Sequence, residues 1–204
     1  MTNAVTFYPG LGADEAIAEL HGLVGEIAAF WAHVEDGLFE LFVTAIAGTW
    51  LVGDVRPYRA VFFTFSSYES KMRMVQNAMR ARFCENGEIT REWLELRKSL
   101  NGASELRNEI AHLVPMAKGS LDQNARANVR LVPPFWKAIH QERDFDELGY
   151  SHSQLLQALA PFWGFDPRIN RFDVPDQTLR YRLRQFALKL EPPRSPTSPN
   201  LSGA

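Results

Sequence analysis

The sequence predicts an all-α protein, an up-and-down helical bundle with a short extended segment around residues 116–134 and further helices at its C-terminal end. Three observations predict it. Apolar residues recur every three or four positions over three long stretches, 46% of the 204 residues are hydrophobic, and prolines such as Pro57 and Pro115 stand at the ends of those stretches rather than inside them. Long helices joined by short connections pack antiparallel to their neighbours.

The first helix is read from Ile17, Leu20, Val24, Ile27, Trp31, Val34, Leu38 and Leu41, which alternate by three and four residues. Leu23, Phe30, Phe42 and Ile46 widen this seam beyond a coiled-coil stripe, which favours a globular bundle. Gly48 is a plausible stop. Gly22, Gly25 and Gly37 cost the helix about 1 kcal/mol each in propensity, so packing must hold it.

A second helix is expected from about Pro57, with Val61, Phe65, Tyr68, Met72, Val75, Met79 and Phe83 inward. A third is expected from about Thr90 to His112, with Trp93, Leu96, Leu100, Ala103, Leu106, Ile110 and Leu113 inward, a bend at Gly102 and a close at Pro115. Val129-Arg130-Leu131-Val132 suits a short strand or an extended crossing. Ser151 and Gln154 have capping-box form ahead of Leu155 and Leu159, so a helix should start there and break or kink at Pro161. A last helix follows Pro175, with Leu179, Leu183, Phe186 and Leu190 inward. The organisation expected is one helical domain over 1–190 (core 14–115, helical extension 135–190) and a disordered tail over 191–204.

Composition narrows the function. No export signal or transmembrane run is visible, and Cys84 is the only cysteine, so a cytoplasmic protein without disulfides is expected. Histidines His21, His33, His140 and His152 lack metal-ligand spacing, and there is no glycine-rich phosphate loop, so neither metal nor cofactor is expected. The first 50 residues hold seven acids and no Lys or Arg, while the remainder carries 22 basic and 17 acidic residues. A polyanion would therefore be drawn to surfaces built later in the chain. The basic residues Arg168, Arg171, Arg180, Arg182, Arg184 and Lys189 either bind RNA or dock on the acidic first segment, docking being favoured.

The chemistry concentrates in Arg107-Asn108-Glu109-Ile110-Ala111-His112, near the end of the third helix. Arginine, a polar residue after it and a histidine five positions on resemble the R-x(4–6)-H signature of HEPN domains. Trp31-x-x-Val34-Glu35 on the first helix, an aromatic-rich second helix with Ser67 and Lys71, and the His112-Leu113-Val114-Pro115 exit extend the resemblance over about residues 14–115. It implies a compact helical bundle that dimerises around a shared cleft. It also implies metal-independent RNA cleavage by Arg107 and His112 and a setting in toxin–antitoxin or other defence systems, with an antitoxin or other protein as partner. Other members of the family have lost cleavage and bind a nucleotide or a protein, which is the alternative reading.

The residue types fit that chemistry. Cleavage by the substrate's own 2′-hydroxyl needs a proton acceptor, a proton donor and positive charge for the crowded phosphate; histidine serves either proton role, and an arginine fork matches phosphate oxygens. DNA lacks that hydroxyl, so RNA is selected. At about 100° per residue Asn108 and His112 share a stripe while Arg107 lies some ~140° from His112, which favours a second copy of the helix completing the site. Glu35 is expected to orient Arg107 through an ion pair. Lys71 and Arg73, with Arg80 and Arg82, form a solvated face whose first two members are candidate phosphate or RNA contacts. Tyr150, Trp163 and Phe165 are either base-stacking groups or, more commonly for aromatics, buried ones.

Overall fold

A computed structural model of the chain describes residues 13–50, 53–118, 128–134, 148–163 and 178–192. The expected tail over 191–204 falls, beyond Pro192, outside the described residues. Helices dominate. In order they are α1 (Ala13–Ala47), α2 (Arg56–Phe62), α3 (Tyr68–Phe83), α4 (Gly87–Ala111), α5 (His152–Trp163) and α6 (Leu179–Leu190), with a small sheet of β1 (Val114–Lys118), β2 (Asn128–Val132) and β3 (Tyr150–Ser151) between α4 and α5.

The chain divides into two compact units, each drawn from separate stretches of sequence: residues 1–34 with 97–181, and residues 35–96 with 182–204. In the first unit the early part of α1 buries Leu20, Leu23, Ile27, Trp31 and Val34. Leu100, Ala103 and Ile110 of α4 and Leu131, Val132 and Leu155 of the sheet and α5 complete its interior. Ile17 and Val24 are only half-buried, and Ile46, expected to widen the seam, is 50% exposed. The helix stops where expected. Gly48 takes φ 86° and its N–H donates to the Thr44 carbonyl at 2.9 Å, the left-handed closure that glycine adopts without a Cβ penalty.

The second unit is built around aromatic rings. Phe39 lies 5.6 Å from Trp50 edge to face, 5.5 Å from both Phe62 and Phe63, and Phe42 lies 5.4 Å from Phe62. Trp93 of α4 stacks on Phe186 of α6 at 6.1 Å, and its indole N–H donates to Gln76 at 2.6 Å. Gly37 lets α6 approach: a Cβ there would stand 3.0 Å from Leu183 Cδ1.

The single second helix expected from Pro57 is two helices. Thr64-Phe65-Ser66-Ser67 separates them because hydroxyls compete for the backbone: Thr64 Oγ1 donates to the Ala60 carbonyl at 2.6 Å, and Ser67 Oγ accepts the Ser70 N–H at 3.2 Å as the N-cap of α3. The break shifts the helical phase, so Phe62 is fully buried while Val61 and Phe65, expected inward, are exposed.

Helix α4 begins under an Asn86 cap, whose Oδ1 accepts the Ile89 N–H at 3.1 Å, and runs through Gly102 without interruption. Pro115 does not merely close it. The residue belongs to β1, a strand paired antiparallel with β2 and unpaired on its other side among the described residues, where a missing N–H is tolerated. Tyr150 and Ser151 then pair with Leu131 and Arg130 on the far side of β2. The extended segment foreseen at 129–132 is thus the centre of a three-stranded sheet whose outer strands were not foreseen.

The entry to α5 forms the capping box its sequence announces: Ser151 Oγ accepts the Gln154 N–H at 3.2 Å and Gln154 Oε1 accepts the Ser151 N–H at 3.0 Å. The helix continues two residues past Pro161, which sits in its last turn. Helix α6 is capped by Thr178 and buries Leu179, Leu183, Phe186 and Leu190 as expected.

Candidate functional site

The last turn of α4 is a solvent-facing end on which Asn108, Glu109 and His112 are exposed and Arg107 is half-buried. Ile110, between them, is 1% exposed and anchors the turn in the first unit. Arg107 carries its guanidinium over the buried Trp31 ring, 5.6 Å from the centroid, and donates from Nη1 to Asn108 Oδ1 at 2.7 Å. An indole face under a guanidinium is worth about 0.5–2 kcal/mol and fixes the plane of the fork.

That bond changes the helical-wheel expectation. A Cα position some ~140° from His112 suggests that Arg107 turns away, yet its four-bond side chain reaches Asn108, next to it in the chain. The guanidinium is thus tied to the residue that shares the His112 stripe on the ideal wheel.

The backbone alters the neighbourhood of His112 as well. The His112 N–H donates to the Glu109 carbonyl at 3.1 Å and the Leu113 N–H to the Ile110 carbonyl at 3.1 Å, both i→i−3 bonds. Such tightening is common where a helix ends. It winds the chain at about three residues per turn, which eclipses side chains three apart. The closure thus turns the His112 position round toward that of Glu109 and away from that of Asn108.

Glu109 has a partner from distant sequence. Tyr150 of β3 is half-buried and hydrogen-bonded to the Glu109 carboxylate; burial, then the negative charge of Glu109 and that hydrogen bond, raise its phenol above the ordinary tyrosine range. The sheet accounts for this placement. β1 follows α4 directly, β2 pairs with β1, and β3 pairs with β2, so the chain returns beside the end of α4. Of the other aromatics considered for base stacking, the Trp163 side chain and Phe165 lie outside the described residues.

Glu35 and Lys71 meet each other. Lys71 Nζ donates to Glu35 Oε2 at 2.6 Å, with the lysine side chain 5% exposed and its ammonium 5.0 Å from the Phe63 ring centroid. The solvated face expected around Lys71 is corrected here: the ammonium is an interior cation neutralised by Glu35, which rules out a phosphate contact in this conformation, while Arg73 two residues on is exposed. Glu35 thus accepts from Lys71, while Arg107, in the other unit, bonds Asn108 and lies over Trp31.

Two further features have structural roles. Arg130 is 6% exposed, and its guanidinium serves the Leu148 and Gly149 carbonyls and Gln154 Oε1 at 2.8, 3.2 and 2.8 Å, fastening the β3 turn to α5. Lys189 of the basic C-terminal helix pairs with Glu92 of α4 at 2.8 Å.

The sequence singles out Arg107, Asn108 and His112, and the structure places them at and just beyond the C-terminal end of α4, with Arg107 bonded to Asn108 and His112 exposed. The sequence does not mark the contact between Glu109 and Tyr150. A signal for Glu109 existed in the three-residue spacing to His112, given that terminal turns commonly tighten; nothing local marked Tyr150 as its partner. No helix among the described residues is long and apolar enough to cross a membrane. Comparison with protein-family models, with curated proteins and with solved structures finds no significant match to this chain.

Proposed function

We propose that the chain is a metal-independent endoribonuclease of HEPN type, cleaving RNA by attack of the substrate's 2′-hydroxyl on the adjacent phosphate at Arg107, Asn108 and His112. The observation that carries this reading is the Arg107–Asn108 bond, which joins the guanidinium to an exposed amide four residues before the exposed His112. Held on Trp31 and Asn108, the fork offers its remaining N–H groups to phosphate oxygens, and its planar charge answers the charge that builds up on the five-coordinate phosphorus. His112, exposed at the end of the turn, supplies a proton to the departing 5′-oxygen. The reaction leaves a 2′,3′-cyclic phosphate and a 5′-hydroxyl.

The test is incubation of the purified protein with mixed RNA in EDTA. Cleavage is expected to persist and to leave cyclic phosphate ends. His112→Ala should lose roughly 10²-fold or more in rate, and Arg107→Lys should also be damaging, because a point charge does not reproduce the fork. Asn108→Ala should lose less. Full activity in the His112 variant, or cleavage only with added metal, rejects the reading in favour of a noncatalytic helical module that binds a nucleotide or a protein.

A further inference from the structure

The reaction proposed above needs two proton-transfer groups, and of Arg107, Asn108 and His112 only the imidazole can serve as one. If His112 protonates the leaving oxygen, a separate group must accept the 2′-hydroxyl proton. Resting on that reading, we propose that the Glu109 carboxylate is this proton acceptor and that Tyr150 is the residue that positions it.

Four observations place Glu109 in that role. It is exposed on the same turn as His112, so a substrate hydroxyl can reach it. The i→i−3 closure turns the His112 position round toward that of Glu109, so an acceptor and a donor share one face of the chain at the end of α4. The Arg107 guanidinium, two residues before Glu109, is bonded to the intervening Asn108 and supplies positive charge at the same end of the helix. Finally, the carboxylate is held from outside the helix by the hydroxyl of a half-buried tyrosine, an arrangement that the sheet exists to deliver. Because burial and the Glu109 charge keep the phenol protonated, Tyr150 acts as a donor to the carboxylate at neutral pH and does not itself accept the substrate proton. A carboxylate has about four acceptor sites, so one hydrogen bond from tyrosine leaves lone pairs for the substrate. The remaining charged groups along this side of α4 are Glu105 one turn earlier, Arg107 and His112.

The step balances. The 2′-hydroxyl proton passes to the Glu109 carboxylate as the 2′-oxygen bonds to phosphorus. The bond from phosphorus to the 5′-oxygen breaks, and that oxygen takes the proton of His112. Glu109 is left protonated and His112 neutral, and exchange with water resets both.

The experiment uses the full chain and a short single-stranded RNA with one cleavable linkage, with the same oligomer carrying a 2′-deoxy sugar at that linkage as a binding probe. Wild type should give a bell-shaped pH profile, because the carboxylate must be ionised and the imidazole protonated. Glu109→Gln should lose about 10²–10⁴-fold in kcat and lose the low-pH limb, with affinity for the 2′-deoxy oligomer unimpaired. Glu109→Asp should recover part of the rate, and Tyr150→Phe should lose only about tenfold while keeping both limbs. Wild-type rate or an unchanged bell in Glu109→Gln, alongside an inactive His112→Ala, overturns the role of Glu109 and leaves the ribonuclease reading standing. Absence of cleavage by wild type overturns both.

Discussion

At Gly149 the backbone takes φ 54°, and a Cβ built there would stand 1.8 Å from the Leu131 carbonyl oxygen. Main chain meets main chain at this point, so no rotamer change relieves the overlap. Arg130 fastens the same turn through the Leu148 and Gly149 carbonyls, which prevents the loop from swinging away. Gly149→Ala should therefore destabilise the protein by at least about 2 kcal/mol, read from denaturant midpoints. It should also reduce activity beyond its effect on stability, because Tyr150 is the next residue. Among individual side chains, the sequence made Arg107, Asn108 and His112 visible because their types and spacing carry chemistry. The role proposed for Glu109 is hidden in the same six residues because an ideal wheel of 3.6 residues per turn sets His112 beside Asn108, whereas the i→i−3 closure turns it toward Glu109. Lys71 was misread for another reason: a lysine among polar residues looks solvated until the position of Glu35, 36 residues earlier, is known.

Elements were legible where periodicity is long and caps are explicit. The α1 seam, the Gly48 stop, the Ser151–Gln154 box and the apolar face of α6 all follow from residue order. The break between α2 and α3 and the strands β1 and β3 did not. The break depends on hydroxyl groups winning backbone bonds from a helix that the apolar pattern alone would continue. The strands are short and gain their bonds from segments far apart in sequence. Helix α1 also carries two glycines that packing does not require. Nothing lies within 4 Å of a Cβ added at Gly22 or Gly25, and both positions are exposed in mid-helix. Gly22→Ala and Gly25→Ala should each stabilise the chain by about 0.5–1 kcal/mol, seen as a rise in thermal midpoint with activity unchanged.

For the molecule as a whole, the resemblance to HEPN proteins implies a two-fold dimer, with an antitoxin or similar protein as a further partner. The placement of Arg107 bears on how such a dimer works. On the proposed reading the arginine, the histidine and a carboxylate all come from the end of α4 in one chain, so each protomer of such a dimer would carry its own set of reacting groups. Light scattering at micromolar concentration should return twice the chain mass of 23.2 kDa. Mixing Arg107→Lys with His112→Ala protomers should then fail to restore activity, whereas a cleft that shared these groups between copies would regain part of it.

The division into two units cuts across the order of the chain. Residues 1–34 and 97–181 make one and residues 35–96 and 182–204 the other, so α1 and α4 each begin in one interior and end in the other. No single scission sorts the polypeptide into its two cores. During synthesis, the first interior waits for residues beyond 97 to emerge before Trp31 receives its arginine. The second waits longer still, since Leu183, Phe186 and Leu190 are nearly the last described residues to leave the ribosome. A protein whose proposed activity is to cut RNA thus closes its aromatic core only after Leu190 has been added to the chain.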